Sequence, residues 1–216
     1  MRRRGLYLLF CLALGLGSCS HLPNLKPLAP DMNSESLGAS CLALFPKQPQ
    51  RLVHQIMAEL PMNQHSAMLG VSLVFPARRH LRAVLLSVEG LTLLDAERSP
   101  SGDRVHRAIG PMEDKDFAKG LLDDVELLLL APRGETRFGQ VAGQATCRTQ
   151  VDGGVTDIRF DGQNWHLKRY DAQGRLLRSI QATHQNAQIK ALGLGGYLLK
   201  LKLQSQENLD PGYNPS

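Results

Sequence analysis

The stretch TCRTQVDGGVTDIRFDGQNWHLKRYDAQGRLLRSIQA, from Thr146 to Ala182, decides the fold class. It divides into four strand-length segments, Thr146 to Val151, Val155 to Phe160, Trp165 to Tyr170 and Arg175 to Ala182. Between them stand Asp152-Gly153-Gly154, Asp161-Gly162-Gln163-Asn164 and Asp171-Ala172-Gln173-Gly174. Asp and Asn bond their own backbone in turns and Gly supplies positive φ, so short connections of this kind join antiparallel neighbours. The segment reads as an antiparallel meander.

The same grammar extends in both directions. Tyr197 to Leu203 alternates, with Tyr197, Leu199, Leu201 and Leu203 on one face and Lys200, Lys202 and Gln204 on the other. Gly193-Leu194-Gly195-Gly196 precedes it and reads as a turn, because dinucleotide-binding glycines open a helix instead. Towards the N-terminus, Leu52 to Leu60 and Met68 to Phe75 read as strands, although RLVHQIMAEL also scores as a short amphipathic helix. Leu81 to Leu94 is a long apolar stretch with a bend or bulge at Glu89-Gly90. Ser99 to Asp103 forms a turn into a strand over Arg104 to Ile109. Glu113 to Leu130 is the best helix: Glu113, Asp114 and Asp116 crowd the positive end of its dipole, and Pro132 follows its end. A second reading stops it near Asp124, leaving Val125 to Leu130 as a strand. The fold class is therefore mainly β with an α+β admixture, a twisted antiparallel sheet whose apolar face a helix covers.

The opening MRRRGLYLLFCLALGLGSCS has the three-part order of a secretory signal, with Arg2, Arg3 and Arg4, an apolar run, then small residues before a cysteine. Leu16-Gly17-Ser18-Cys19 fits a lipobox, which predicts a leader over residues 1–18 and acylation of Cys19. Two or more acyl chains make membrane attachment stable without a spanning helix. With Ser20 in place of an aspartate after the acylated cysteine, the sequence resembles lipoproteins sent to the outer membrane, which implies a place on its periplasmic face. Residues 19–40, rich in Pro, Ser and Asn, read as an acylated N-terminus and flexible tether. The folded domain is expected over 41–206, and 207–216 as a flexible tail.

Losing the three leader arginines lowers the formal net charge from +5 to +2. With no cluster of Lys and Arg interleaved with aromatics, nucleic acid is rejected as a partner. Cys11 leaves with the leader and Cys19 is acylated, so Cys41 and Cys147 remain as one pair in an oxidising compartment. A disulfide is the simplest account, with two independent buried thiols as the alternative.

No G-x-S-x-G elbow, H-E-x-x-H, C-x-x-C, P-loop or EF-hand loop occurs. The histidines are dispersed, and Asp123, Asp124 and Glu126 read as a solvated helix face. No catalytic residue, metal site or cofactor is expected, and the chain is read as non-enzymatic. An apolar concave sheet face beneath a helix suits an acyl chain, because such pockets need mainly hydrophobic lining. Ile158, Phe160, Trp165, Leu199 and Leu201 are the candidate lining residues; a solid core over the same face is the alternative.

LLDDVELLLLAPRGETR, WHLKRYDAQGRLLRSI and LGGYLLKLKLQS together resemble a family of proteobacterial lipoproteins designated domain of unknown function 3261, over roughly Cys41 to Gln206. Ala131-Pro132 and Gly196-Tyr197 are its better markers. That family is similar in architecture to the lipoprotein-localisation factors LolA and LolB. The resemblance implies a half-open antiparallel β-barrel, or strongly curved sheet, with a helical lid closing over acyl chains. It also implies a role in moving or placing a lipid-like product at the outer membrane. The expected function is an outer-membrane lipoprotein that binds or localises a lipid or acylated cargo. The alternative is a structural or assembly lipoprotein that docks an envelope protein partner.

Overall fold

The computed structural model describes residues 21–161, 164–193 and 195–210. The leader, Cys19 and residues 211–216 lie outside the described residues. Among the described residues twelve strands form one antiparallel, curved, open sheet. A first meander comprises β1 (Gln50–Leu60), β2 (Gln64–Phe75), β3 (His80–Leu86), β4 (Thr92–Ser99) and β5 (Gly102–Ala108). A second comprises β6 (Thr136–Val141), β7 (Gln144–Val151), β8 (Gly154–Asp161), β9 (Asn164–Asp171), β10 (Leu176–Ala182), β11 (Asn186–Ala191) and β12 (Leu198–Asn208). β1 pairs with β12, so the spatial order is β5-β4-β3-β2-β1-β12-β11-β10-β9-β8-β7-β6. The two edge strands, β5 and β6, are consecutive in the chain. Whatever joins them must cross the open side of the curved sheet, and what joins them is a helix, α2 (Lys115–Leu129).

α2 begins where its sequence says it should: Asp114 is its N-cap, accepting from the Asp116 N–H at 2.8 Å. It continues through Asp124 to Leu129, so Val125 to Leu130 does not form a strand. The reason is tertiary, since Ala118, Leu122, Leu128 and Leu129 face the sheet and are buried. β1 is a strand, which settles the ambiguity of RLVHQIMAEL: flanked by β2 and β12, it buries Leu52, Ile56 and Ala58 on one face.

The stretch from Leu81 to Leu94 departs from the single bent strand expected. It is a hairpin, β3 and β4, reversed at Ser87 to Leu91, where the Ser87 N–H donates to Leu91 O at 2.8 Å. Gly90 takes a φ of 86°, so the glycine closes a turn and does not make a bulge. β6 and β11 were not anticipated, and β12 continues beyond Leu203 to Asn208.

The described part of the expected tether, residues 21–40, is laid against the sheet. The Leu22 N–H donates to Gly174 O at 2.7 Å, Arg148 donates to Pro23 O at 2.9 Å, and Lys26 exchanges backbone bonds with Gln140 of β6 at 3.0 and 2.8 Å. Residues 34–43 then form α1 (Ser34–Ala43), capped by Asn33. Its Gly38 lets the Phe138 ring approach, and its Cys41 is bonded to Cys147 of β7 with Cα atoms 6.6 Å apart. Polar composition suggested a loose segment; backbone pairing and the disulfide hold it instead.

Candidate functional site

The register places side chains of alternate residues in rows across the concave face. One row runs Ile56, Leu201, Ala187, Ala182, Trp165, Phe160 across six strands, from β1 through β12, β11, β10 and β9 to β8. The next runs Ala58, Leu199, Ile189, Ile180, Leu167, Ile158, Cys147 and Phe138 across eight. Both rows are apolar throughout. The third row changes character: Thr136, Thr149, Thr156, Arg169, Arg178 and Ala191 stand side by side. The five expected lining residues thus share one continuous face. Ile158 is buried in the core, while Phe160, Trp165 and Leu199 are partly buried against it.

Only Leu199 and Leu201 reach the enclosed space beneath α2, which is about 30 Å³ and is otherwise walled by residues such as His54, Ser72, Leu121, Asp124, Val125 and Leu128. A water needs roughly 10–15 Å³ of such volume, so this space has room for a water or two and not for an acyl chain. Beneath the helix, the solid-core alternative describes the present arrangement.

α2 is fastened by charge on both flanks. Arg79 donates to Glu126 and to Ala131 O, both at 2.6 Å, from a left-handed backbone with a φ of 51°. Its cation sits at the negative end of the helix dipole. Arg98 bridges Asp103, Asp123 and Glu126 at 2.7 to 2.9 Å. On the other flank Asp124, only 1% exposed, accepts from Arg178 Nε at 2.8 Å and from the Tyr197 hydroxyl. Arg178 also lies over the Tyr197 ring, 5.6 Å from its centroid. Burial raises the Asp124 pKa above the ordinary carboxylate value, against the pull of Tyr197 and Arg178. Burial likewise pushes the Tyr197 hydroxyl upward and His54 downward. The three acids are not the solvated face expected: Asp123 and Glu126 are half-buried in ion pairs with Arg98, and Glu126 also with Arg79. Asp124 turns inward to partners that lie 54 and 73 residues away.

Along the outer flank of α2 lies a half-open groove of about 640 Å³. It is walled by Ser99 and Pro100 at the β4–β5 turn, by Leu127, Leu130 and Pro132, and by Val151, Thr156 and Leu177 of the second meander. Six cations line it, Arg79, Arg98, Lys119, Arg133, Arg169 and Arg178, against three carboxylates, Asp123, Glu126 and Asp152. A trough of about 550 Å³ on the opposite, convex face is lined largely by amides and lysines. The concave face and its adjoining groove are therefore the candidate site: they combine apolar rows, a helix across the opening and a cationic border.

No family model and no curated protein matches the chain. Among solved structures it is similar to a LolA superfamily protein from Nitrosomonas europaea, at 11% identity over 83% of this chain and 94% of that one, with a TM-score of 0.48. It is also similar to a domain described as an outer membrane lipoprotein-sorting protein from Vibrio parahaemolyticus, at 13% identity over 85% and 96%, with a TM-score of 0.45. A third is a DUF1329 family protein from Desulfovibrio piger, at 11% identity over 83% and 92%, with a TM-score of 0.41. At such identities and scores these likenesses are distant. Among the described residues no helix is long and apolar enough to cross a membrane, and no three His, Cys, Asp or Glu side chains group as metal ligands.

Proposed function

We propose that this is an outer-membrane-anchored lipoprotein, facing the periplasm, that binds a lipid or acylated cargo on the concave face of its sheet with α2 as the lid. The observation that carries this reading is the pair of unbroken apolar rows from Phe160 to Ile56 and from Phe138 to Ala58, crossed by a helix fastened through ion pairs at its flanks. Because the enclosed space is only about 30 Å³, cargo enters by displacing α2. Acyl methylenes then replace the apolar side of the helix, each contributing about 0.8 kcal/mol. The role is one of binding, not catalysis. Acylation of Cys19 supplies the anchor, two residues before His21, which pairs with Arg175 at the β9–β10 turn.

The test is native mass spectrometry with lipid extraction on residues 20–216, which include every described residue, purified from an envelope fraction. A stoichiometric lipid that is lost in the Leu199→Asp, Leu201→Asp variant, with its circular dichroism unchanged, supports the reading. A ligand-free protein that also takes up no added lipid sinks it. That outcome favours the second reading, an assembly lipoprotein docking an envelope partner. The filled space under α2 and the exposed Met62, Val88 and Leu91 at two hairpin turns are the observations behind that alternative.

A further inference from the structure

The concave face is not apolar to its rim. Where the row of Leu167, Ile158 and Ile180 gives way to the next, the side chains become Thr149, Thr156, Arg169 and Arg178, the gradient of an amphiphile laid along the strands. In this polar row the cations are unequally provided for. Arg178 is neutralised by Asp124. Arg169, directly opposite it on β9, is half-buried and holds only neutral partners, the Asp152 carbonyl at 2.7 Å and, weakly, the Thr156 hydroxyl at 3.4 Å. Among the described residues no carboxylate lies within ion-pairing distance of it. Removal from water without a paired counter-charge is costly, and Asp123, Glu126 and Asp152 act on Arg169 only from beyond ion-pairing distance.

A second unmatched guanidinium borders the same groove. Arg133 follows the C-terminal end of α2, is exposed, and makes no ion pair among the described residues. The other cations there are engaged: Arg79 with Glu126, Arg98 with Asp103, Asp123 and Glu126, and Lys119 with Asp123. At about 640 Å³, the groove falls within the ordinary range for small-ligand sites, roughly 300–1,000 Å³.

We propose that Arg169 and Arg133 form an oxyanion-headgroup site, so that the cargo is an anionic amphiphile whose phosphate sits in this groove while its chains run onto the apolar rows. This rests on the lipid-binding reading above and narrows its ligand. A planar guanidinium fork matches phosphate oxygens in two-bond geometry, and each such bond is charge-assisted. The headgroup completes the counter-charge that Arg169 lacks. It also competes with Glu126 and Asp123 for the arginines that fasten α2, so arrival of the anion loosens the lid that the chains must displace.

The experiment uses residues 20–216 and the fluorescence of Trp165, which stands in an apolar row away from the arginines and reports seating of the chains. Dioctanoylglycerol and dioctanoyl phosphatidylglycerol are titrated separately, below their aggregation thresholds. The phospholipid is expected to bind at least about tenfold more tightly, the worth of one charge-assisted bond. Arg169→Gln and Arg133→Gln should each reduce that preference about threefold or more without weakening dioctanoylglycerol. Inorganic phosphate should compete with the phospholipid only. Arg133 is exposed, so its variant keeps the test alive if the Arg169 variant misfolds. Equal binding of the two lipids, or a preference that survives the double variant, overturns the headgroup site and leaves the lipid-binding reading standing. Failure of both lipids to move Trp165 overturns both, including the case in which inorganic phosphate alone still binds.

Discussion

Replacing Cys41 and Cys147 by alanine has a cost that follows from the chain length between them. Their separation is 106 residues, and closure of a loop of that length removes about 16 cal/mol/K of denatured-state entropy, or about 5 kcal/mol at 25 °C in the chain-entropy model. The unfolding entropy of about 190 ordered residues is roughly 0.4 kcal/mol/K, so the midpoint should fall by about 12 °C. Both half-cystines are buried, Cys41 at 4% and Cys147 at 1% exposure, so alanine leaves no unsatisfied polar group. The assay is urea and thermal unfolding followed by circular dichroism, with the parent under reducing conditions as a second route to the unbridged state. If the bridged and unbridged proteins differ by less than about 1 kcal/mol, the reasoning fails, because the denatured chain was then not constrained by the bond.

Asp124→Asn isolates the buried carboxylate. Its pKa is raised by burial, so the folded protein takes up this proton before the unfolded chain does, and the linked stability is present below the unfolded value of about 3.9 and lost as pH rises through the folded value. The variant should therefore gain stability relative to the parent as pH rises from 4 to 8; a difference that does not vary with pH refutes the assignment. Gly139→Ala would set a Cβ 2.3 Å from Lys26 O and 2.7 Å from Leu25 Cγ. It should free residues 21–27 to limited proteolysis at a cost of about 2 kcal/mol, the two backbone bonds to Gln140, while the sheet stays folded. An unchanged cleavage pattern would show that the segment tolerates the methyl group.

What could be read beforehand was whatever local chemistry determines. The meander from Thr146 to Ala182 is legible because its turns are built from Asp, Asn and Gly and its strands alternate, and α2 is legible from Asp114 and Pro132. The concave placement of Ile158, Phe160, Trp165, Leu199 and Leu201 follows from the two-residue period. Their division between an enclosed space and an open face does not, because it depends on where α2 crosses. The inward turn of Asp124 is hidden for the same reason: helical spacing groups it with Asp123 and Glu126, while its partners Arg178 and Tyr197 come from β10 and the approach to β12. α1 has no apolar stripe to announce it, and Asn33, Phe138 and Cys147 hold it in place. β11 offers only Ala187, Ile189 and Ala191 to the inner face, too weak a pattern to stand out from a loop.

An open sheet of twelve strands has two free edges, and each is an invitation to another chain. Here they are closed by different means. β6 has Lys26 bonded to Gln140 along its outer side, so a neighbouring molecule finds that stretch of backbone already occupied. Among the described residues β5 has no such cover, and it instead presents Asp103, Arg104, His106 and Arg107, all exposed, whose charges resist the dehydration that strand-to-strand growth demands. Neither device involves the inner surface of α2. The lid movement proposed above would therefore leave both edge protections in place and would not make the molecule the first unit of a fibre.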